Sequence, residues 1–180
     1  MIASARFSAL VAPILLFAYG VLRFIDGLDG QRKNGPAWDV GHVCFFGAMV
    51  LFAVLAAGVA RTVRAAGGAH RYVADAALVA AVLGAAAFLW VITGDLFASF
   101  PSLPDALQAI GPALFQVGTL VLLIQLVIAR RLPVWSPVLV GVGFGGIAVS
   151  LDLIPIGAIL ILVGLLPIAR PQQRLVSTGS

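Results

Sequence analysis

Long apolar runs separated by short polar segments make up most of this chain and predict membrane-spanning helices. A helix that crosses the hydrocarbon core of a bilayer needs roughly 20 predominantly apolar residues. Four runs meet this length, at residues 7–24, 39–60, 72–95 and 106–129. Polar residues, Gly and Pro separate these runs, so the pattern predicts four spanning helices joined by short loops.

A fifth apolar stretch, residues 132–169, is too long for one ordinary span and carries Asp152 and Pro155 near its middle. We predict two shorter helices there, at 134–150 and 153–168, joined by a tight turn. A re-entrant hairpin buried against the other helices is the alternative. A single broken helix is disfavoured, because it would place a carboxylate at mid-membrane, where a charge is costly.

The predicted fold class is therefore an all-α polytopic membrane helix bundle of about six transmembrane helices, the last two short. Residues 1–170 form a single transmembrane domain in this prediction, and the polar residues 171–180 form a flexible cytoplasmic tail. The first run is interpreted as an uncleaved span, because no small-x-small cleavage site precedes the polar loop.

Charged residues sort to opposite ends of the predicted helices, which indicates how the chain is threaded. Six of the seven aspartates fall in one set of segments: Asp26, Asp29, Asp39, Asp95, Asp105 and Asp152. Eight of the eleven basic residues fall in the other set: Arg6, Arg61, Arg64, Arg71, Arg130, Arg131, Arg170 and Arg174. Positive residues stay on the cytoplasmic side, so both termini are predicted to be cytoplasmic. The exceptions are Arg23, Arg32, Lys33 and Asp75.

Composition supports a membrane location and limits the partners. Hydrophobic residues make up 62% of the chain and charged residues 10%, against about 25% charged in soluble domains. The net charge of +4 is spread over several inner segments. It therefore indicates contact with an anionic lipid leaflet rather than with nucleic acid. The chain has no Glu and has one Lys against ten Arg, which favours a bacterial plasma membrane protein.

The main candidate for chemistry is a polar cluster at the predicted outer ends of the first three helices. Arg23 and Asp26 are three residues apart and share one helix face, as do Asp39 and His42. Asp95 ends the third run on the same side. We predict that these five residues form a ligand-binding pocket, with no catalytic residue assigned. The alternative is structural: Asp39 meets the positive end of its helix, and Arg23 extends outward to pair with Asp26.

The remaining polar and glycine motifs favour packing. Residues 141–146 match G-x-G-x-x-G but lack the strand and the acidic residue of a dinucleotide site, so Gly141 and Gly145 are interpreted as a helix contact. Gln116 and Gln125 are expected to form interhelical hydrogen bonds. One histidine among scattered carboxylates is a weak ligand set, so neither a metal nor a cofactor is predicted.

Three hypotheses for function follow. The first is a non-catalytic membrane protein that binds a partner or a small ligand through its outward-facing polar cluster. The second is a small transporter or channel-like protomer, in which Asp95, Asp152 and the two glutamines line a wetted path. The third is a lipid- or isoprenoid-modifying enzyme with His42 and an aspartate as acid and base. The expected partners are the lipid bilayer and either a second copy of the chain or a larger membrane complex.

Overall fold

The computed structural model describes residues 3–28, 35–65 and 70–170, and this part of the chain is helical without a strand. Its elements are α1 Ala3–Asp26, α2 Pro36–Arg64, α3 His70–Leu96, α4 Asp105–Ile128, α5 Trp135–Val149, a 3-10 turn at Leu151–Leu153, and α6 Ile154–Ala169. The predicted helical bundle is confirmed. Five of these helices are long and apolar enough to cross a membrane, counting α6 together with its preceding turn. The predicted tail, residues 171–180, lies outside the described residues.

The six described helices form a closed ring. Each helix packs against the next one along the chain, α6 packs against α1, and α2 also contacts α4 across the ring. Large apolar side chains such as Val117, Val138 and Ile156 are more than half exposed on the outer surface. A soluble protein rarely exposes so much contiguous apolar surface, so this surface is suited to lipid.

Charged residues mark the two ends of the ring. One end, called here the aspartate-rich end, carries Asp26, Asp39, Asp95, Asp105 and Asp152 at or near its helix termini. The opposite, arginine-rich end carries Arg6, Arg61, Arg64, Arg71, Arg130, Arg131 and Arg170.

Glycines let the backbones of α3 and α4 touch. A Cβ atom added to Gly84 would lie 2.3 Å from the Phe115 backbone nitrogen, and one added to Gly118 would lie 2.5 Å from the Ala77 carbonyl oxygen. Small residues of this kind inside apolar runs are the sequence signal for close helix contact. In lipid, where apolar burial gives little drive, such close packing is a main source of helix association.

The α5–α6 contact uses a different glycine from the predicted ones. Added Cβ atoms on Gly143 and on Gly157 would each lie 2.7 Å from the other's carbonyl oxygen. A Cβ added to Gly141 would make only an ordinary van der Waals contact with Leu120. A Cβ added to Gly145 would meet nothing within 4 Å. The prediction that Gly141 and Gly145 form the packing pair is therefore wrong. The rotation of α5 turns Gly143 toward α6 instead.

The α5–α6 pair is a short hairpin. Helix α5 has 15 residues and spans roughly 22 Å at 1.5 Å per residue, less than a hydrocarbon core of about 30 Å. The Ser136 hydroxyl donates a hydrogen bond to the Gly164 carbonyl and ties the two helices together. At the turn, Ile154 and Pro155 pack against Gly20 of α1. Gly20 lies six residues before the end of α1, so this turn stops roughly 9 Å below that end.

Two polar contacts tie helices together at the arginine-rich end. The His70 Nδ1 atom lies 2.9 Å from Gln125 Oε1, so Gln125 forms the interhelical bond predicted for it. Asp75 pairs with Arg64 and not with Arg71, the partner that a four-residue helical spacing favours. Arg71 instead lies over the Tyr72 ring, while Arg64 extends from the end of α2 toward α3.

We predict that Gly84→Ala lowers the free energy of unfolding by about 1–3 kcal/mol, because the added methyl group meets backbone atoms that have little room to move. Gly145→Ala is the matched control. Its methyl group meets nothing within 4 Å, so the change should stabilise the helix by about 0.5–1 kcal/mol. Thermal unfolding in detergent measures both. Equal effects of the two substitutions would contradict the close α3–α4 contact.

Candidate functional site

A cavity of about 410 Å³ lies on the axis of the ring, toward the aspartate-rich end. Every described helix contributes to its wall. The lining residues are Leu16, Tyr19, Arg23, Trp38, His42, Phe45, Met49, Phe52, Phe88, Val91, Asp95, Phe115, Gln116, Phe144, Ile147, Leu151 and Ile154. Since Trp38 and Phe52 are fourteen residues apart on one helix, the cavity extends over roughly 21 Å of depth.

Three phenylalanines close the deep end of this cavity. Phe52, Phe115 and Phe144 come from α2, α4 and α5, and their ring centroids are 5.4 to 5.9 Å apart in edge-to-face contacts. Such contacts are favourable because the positive ring edge meets the negative ring face. The walls above the three rings are also largely apolar. The lower part of the cavity is therefore largely apolar and suited to a hydrocarbon group.

His42 is held at the upper end by its neighbours. The ring is 2% exposed, lies edge-on to Tyr19 and contacts the Trp38 ring. Its Nδ1 atom is 2.9 Å from the Trp38 carbonyl oxygen. A carbonyl oxygen only accepts, so Nδ1 carries a hydrogen. The other ring nitrogen, Nε2, is thereby directed at Asp95.

Asp95 faces both the cavity and the surface. Its Oδ2 atom lies 3.5 Å from His42 Nε2, and its side chain is 35% exposed. Because both atoms have lone pairs, they attract each other only when a proton sits on one of them. The indole N–H of Trp38 donates to the Asp95 carbonyl oxygen at 3.3 Å, which joins α2 to α3 at the rim of the cavity. The pair thus places an imidazole nitrogen and a carboxylate side by side at the cavity wall.

Arg23 supplies a positive charge on the opposite wall. Its guanidinium group lies beside the Tyr19 hydroxyl, one helical turn earlier on α1. The Arg23 Nε atom is buried and has no hydrogen-bond partner within the described part of the chain. A buried N–H group without a partner is costly. The Arg23 side chain also lines the cavity, so it places a positive charge at the cavity wall.

The structure brings together three of the five residues predicted to form a pocket. Arg23, His42 and Asp95 line the same cavity. Asp39 is exposed on the neighbouring turn and lines a separate shallow surface depression with Asp95. Asp26 is buried at the end of α1 and is not part of the axial cavity lining. One turn of helix separates Asp39 from His42, but the α2 rotation that directs His42 inward leaves Asp39 outside.

Sequence reasoning missed several residues of the site. Tyr19 precedes Arg23 by four residues, and Trp38 precedes His42 by four, so both pairs share a helix face. That spacing is a usable signal, although Trp38 by itself is typical of an aromatic anchor at the membrane interface. The phenylalanines of the floor carry no such signal, because an apolar residue inside an apolar run does not indicate which way it faces.

Within the part of the chain that the structure describes, the polar residues predicted to line a wetted path lie in separate places. Gln116 lines the cavity, whereas Gln125 is bonded to His70 at the arginine-rich end. Asp152 is exposed in the turn before α6. The three phenylalanine rings lie between these polar regions. Within the described residues, no group of three or more His, Cys, Asp or Glu side chains is arranged to hold a metal ion.

Comparison of the chain with protein-family models, with curated proteins and with solved structures finds no match.

We predict that Trp38→Phe lowers the free energy of unfolding by about 1 kcal/mol, because it removes a part-buried hydrogen bond between α2 and α3. The matched control is Trp90→Phe. Trp90 donates to the Pro101 carbonyl oxygen in an exposed position, where water replaces the lost partner. Unfolding midpoints in detergent compare the two. A larger loss for Trp90→Phe would contradict the importance of the Trp38 contact at the rim.

Proposed function

We propose that this protein is an integral membrane protein that binds a small amphipathic molecule in its axial cavity. The supporting observation is a cavity with largely apolar walls, an aromatic floor and its charged groups at one end. Its volume of about 410 Å³ is within the range of roughly 300–1,000 Å³ typical of small-molecule sites. Five helices suited to crossing a membrane would give such a site access to lipid-soluble compounds.

The chemistry of the upper end favours a neutral polar head group. Arg23 and Asp95 are groups of opposite charge when ionised, and both line the cavity, so the lining is not dominated by charges of one sign. The Arg23 guanidinium group can donate to an oxygen of the ligand, and the Asp95 carboxylate can accept from an O–H or N–H group of the ligand. A hydroxyl or an amide supplies both. The proposed ligand class is therefore a lipid-like alcohol or amide, with its hydrocarbon part between the aromatic rings.

The short hairpin offers a route for such a ligand. The turn between α5 and α6 packs at the level of Gly20, below the end of α1, so the cavity wall is lower on that side. Leu151 and Ile154 of this turn line the cavity. We propose that ligands reach the cavity from the bilayer over this lowered wall, without passing through bulk water.

The test is mass spectrometry of organic extracts from purified protein. Wild type is expected to retain an amphipathic molecule. Arg23→Gln should reduce the retained amount at least about tenfold, the size expected for losing a hydrogen bond to a charged group. Val91→Phe should reduce it as well, by filling the cavity. Asp39→Asn, at the same end of the bundle but outside the cavity, is the control and should retain the ligand.

Retention of the same molecule by Val91→Phe, in a variant whose unfolding midpoint matches wild type, would overturn the cavity as the binding site. Loss of ligand from Asp39→Asn to the same extent as from Arg23→Gln would also contradict the proposal. In that case the surface charge of the aspartate-rich end, and not the axial cavity, would determine binding.

Acid–base catalysis on the bound molecule is the second candidate. The His42–Asp95 pair, at 3.5 Å, favours it, because two such groups at the head of an apolar cavity can move a proton to or from a ligand. Comparison of bound molecules separates the two functions. If His42→Gln retains a molecule that differs chemically from the one in wild type, the protein is an enzyme. If both retain the same molecule, binding alone is its function.

The orientation of the chain is a further part of this proposal. The distribution of arginines along the sequence supports a bacterial plasma membrane protein with residues 1–170 as one transmembrane domain and both termini in the cytoplasm. A second copy of the chain or a larger membrane complex is the proposed partner. Nucleic acid is not proposed as a partner, because the positive charges are spread over several loops.

A reporter that is active only in the cytoplasm, fused after Ser180, is expected to be active. The matched fusion carries the same reporter inserted between residues 29 and 34, in the loop at the opposite end, and should be inactive. The reverse result would mean that the bundle lies in the membrane in the opposite orientation. It would place the Arg23, His42 and Asp95 cluster on the cytoplasmic side.

A further inference from the structure

A second concave site lies at the arginine-rich end of the bundle, and the charged side chains that line it are all positive. Three arginines line it: Arg6 near the start of α1, Arg131 after α4, and Arg170 after α6. They are brought together from three separate segments of the chain. Their sequence positions predict that all three face the cytoplasm, but nothing in the sequence associates them with each other.

No carboxylate balances these three charges within the described residues. Asp75 is the one aspartate of the arginine-rich end, and it pairs with Arg64. The Arg6 Nε atom is buried and has no hydrogen-bond partner among the described residues. Three like charges repel one another, so an anion between them is favoured.

The backbone before Arg131 is arranged in an uncommon way. Arg130 has φ of +56°, the left-handed conformation that glycine usually supplies at the end of a helix. The Arg131 N–H group donates to the Leu126 carbonyl oxygen at 2.9 Å, which closes the turn and turns the chain back toward α6. This turn holds Arg131 in the same site as Arg6 and Arg170.

The geometry points to the phosphate of an anionic phospholipid as the ligand of this site. Arginine binds phosphate oxygens through paired N–H groups. The concave part measures about 20 Å³, enough for roughly one oxygen-sized group, so the rest of the head group would remain outside. Of the apolar lining residues, Leu126 and Ile168 are buried and Pro167 is partly exposed, and the arginines lie at the ends of apolar helices, where lipid head groups meet the bilayer. Free phosphate shares the charge but has no acyl chains to hold it at the bilayer surface.

Thr62 also lines the site, but its hydroxyl donates to the Gly58 carbonyl oxygen at 2.9 Å. Its donor is therefore already in use. The three guanidinium groups supply the recognition, so the arginines are the residues to substitute.

The test is lipid binding to the purified full chain in neutral detergent, measured by native mass spectrometry. Phosphatidylglycerol is expected to bind, while diacylglycerol, which lacks the phosphate, is not. Arg131 is exposed, so Arg131→Gln should fold, and it should weaken phosphatidylglycerol binding about fivefold, as expected for one basic residue near a lipid surface. Arg6→Gln should do the same.

Arg61→Gln is the matched control, because Arg61 is exposed at the same end and is not part of this site. It should change binding less than about twofold, below the effect of one contacting arginine. If Arg61→Gln and Arg131→Gln weaken phosphatidylglycerol binding equally, general surface charge and not this site would determine binding. Equal binding of diacylglycerol would overturn phosphate recognition. If inorganic phosphate displaces phosphatidylglycerol at equal concentration, the site binds free phosphate and the lipid assignment is wrong.

Discussion

Hydrocarbon offers no hydrogen bonds, and this constraint shapes the whole bundle. Backbone groups are satisfied inside helices, and large apolar side chains such as Val117 and Val138 lie on the outside. Because lipid is as apolar as these side chains, burying them against another helix gains little. The helices are held instead where glycines let backbones touch, as at Gly84 and Gly118 between α3 and α4. Backbone contact at a few places fixes how each helix is rotated.

Those rotations produce the cavity. Three phenylalanines, Phe52, Phe115 and Phe144, meet in the middle of the ring and fill it. Above them the α5–α6 hairpin stops short of the end of α1, so the ring has space that side chains alone do not fill. His42 is shielded from lipid there and bonded on one side to the Trp38 carbonyl. The bond to Nδ1 fixes the orientation of the ring, and Nε2 faces the Asp95 carboxylate at 3.5 Å.

The two ends of the bundle differ in what they can hold. The aspartate-rich end gathers one positive and one negative group around an apolar cavity, which matches a neutral head group with a hydrocarbon part. The arginine-rich end gathers three positive groups around a small indentation, which matches a phosphate at the level of the lipid head groups. The sorting of charge to opposite ends of the helices thus underlies both of the proposed kinds of binding.

The sequence by itself determined the helices, because the length of an apolar run needed to cross hydrocarbon is a local property. The run predicted at 72–95 is the helix His70–Leu96, and the split predicted near Asp152 is the turn at Leu151–Leu153. It also indicated Arg23, His42 and Asp95, since polar residues near helix ends are conspicuous in an apolar chain. Only the tertiary structure decided that these three share a cavity while Asp39 lies outside it. The direction of a side chain depends on the rotation of its helix, and contacts with neighbouring helices determine that rotation.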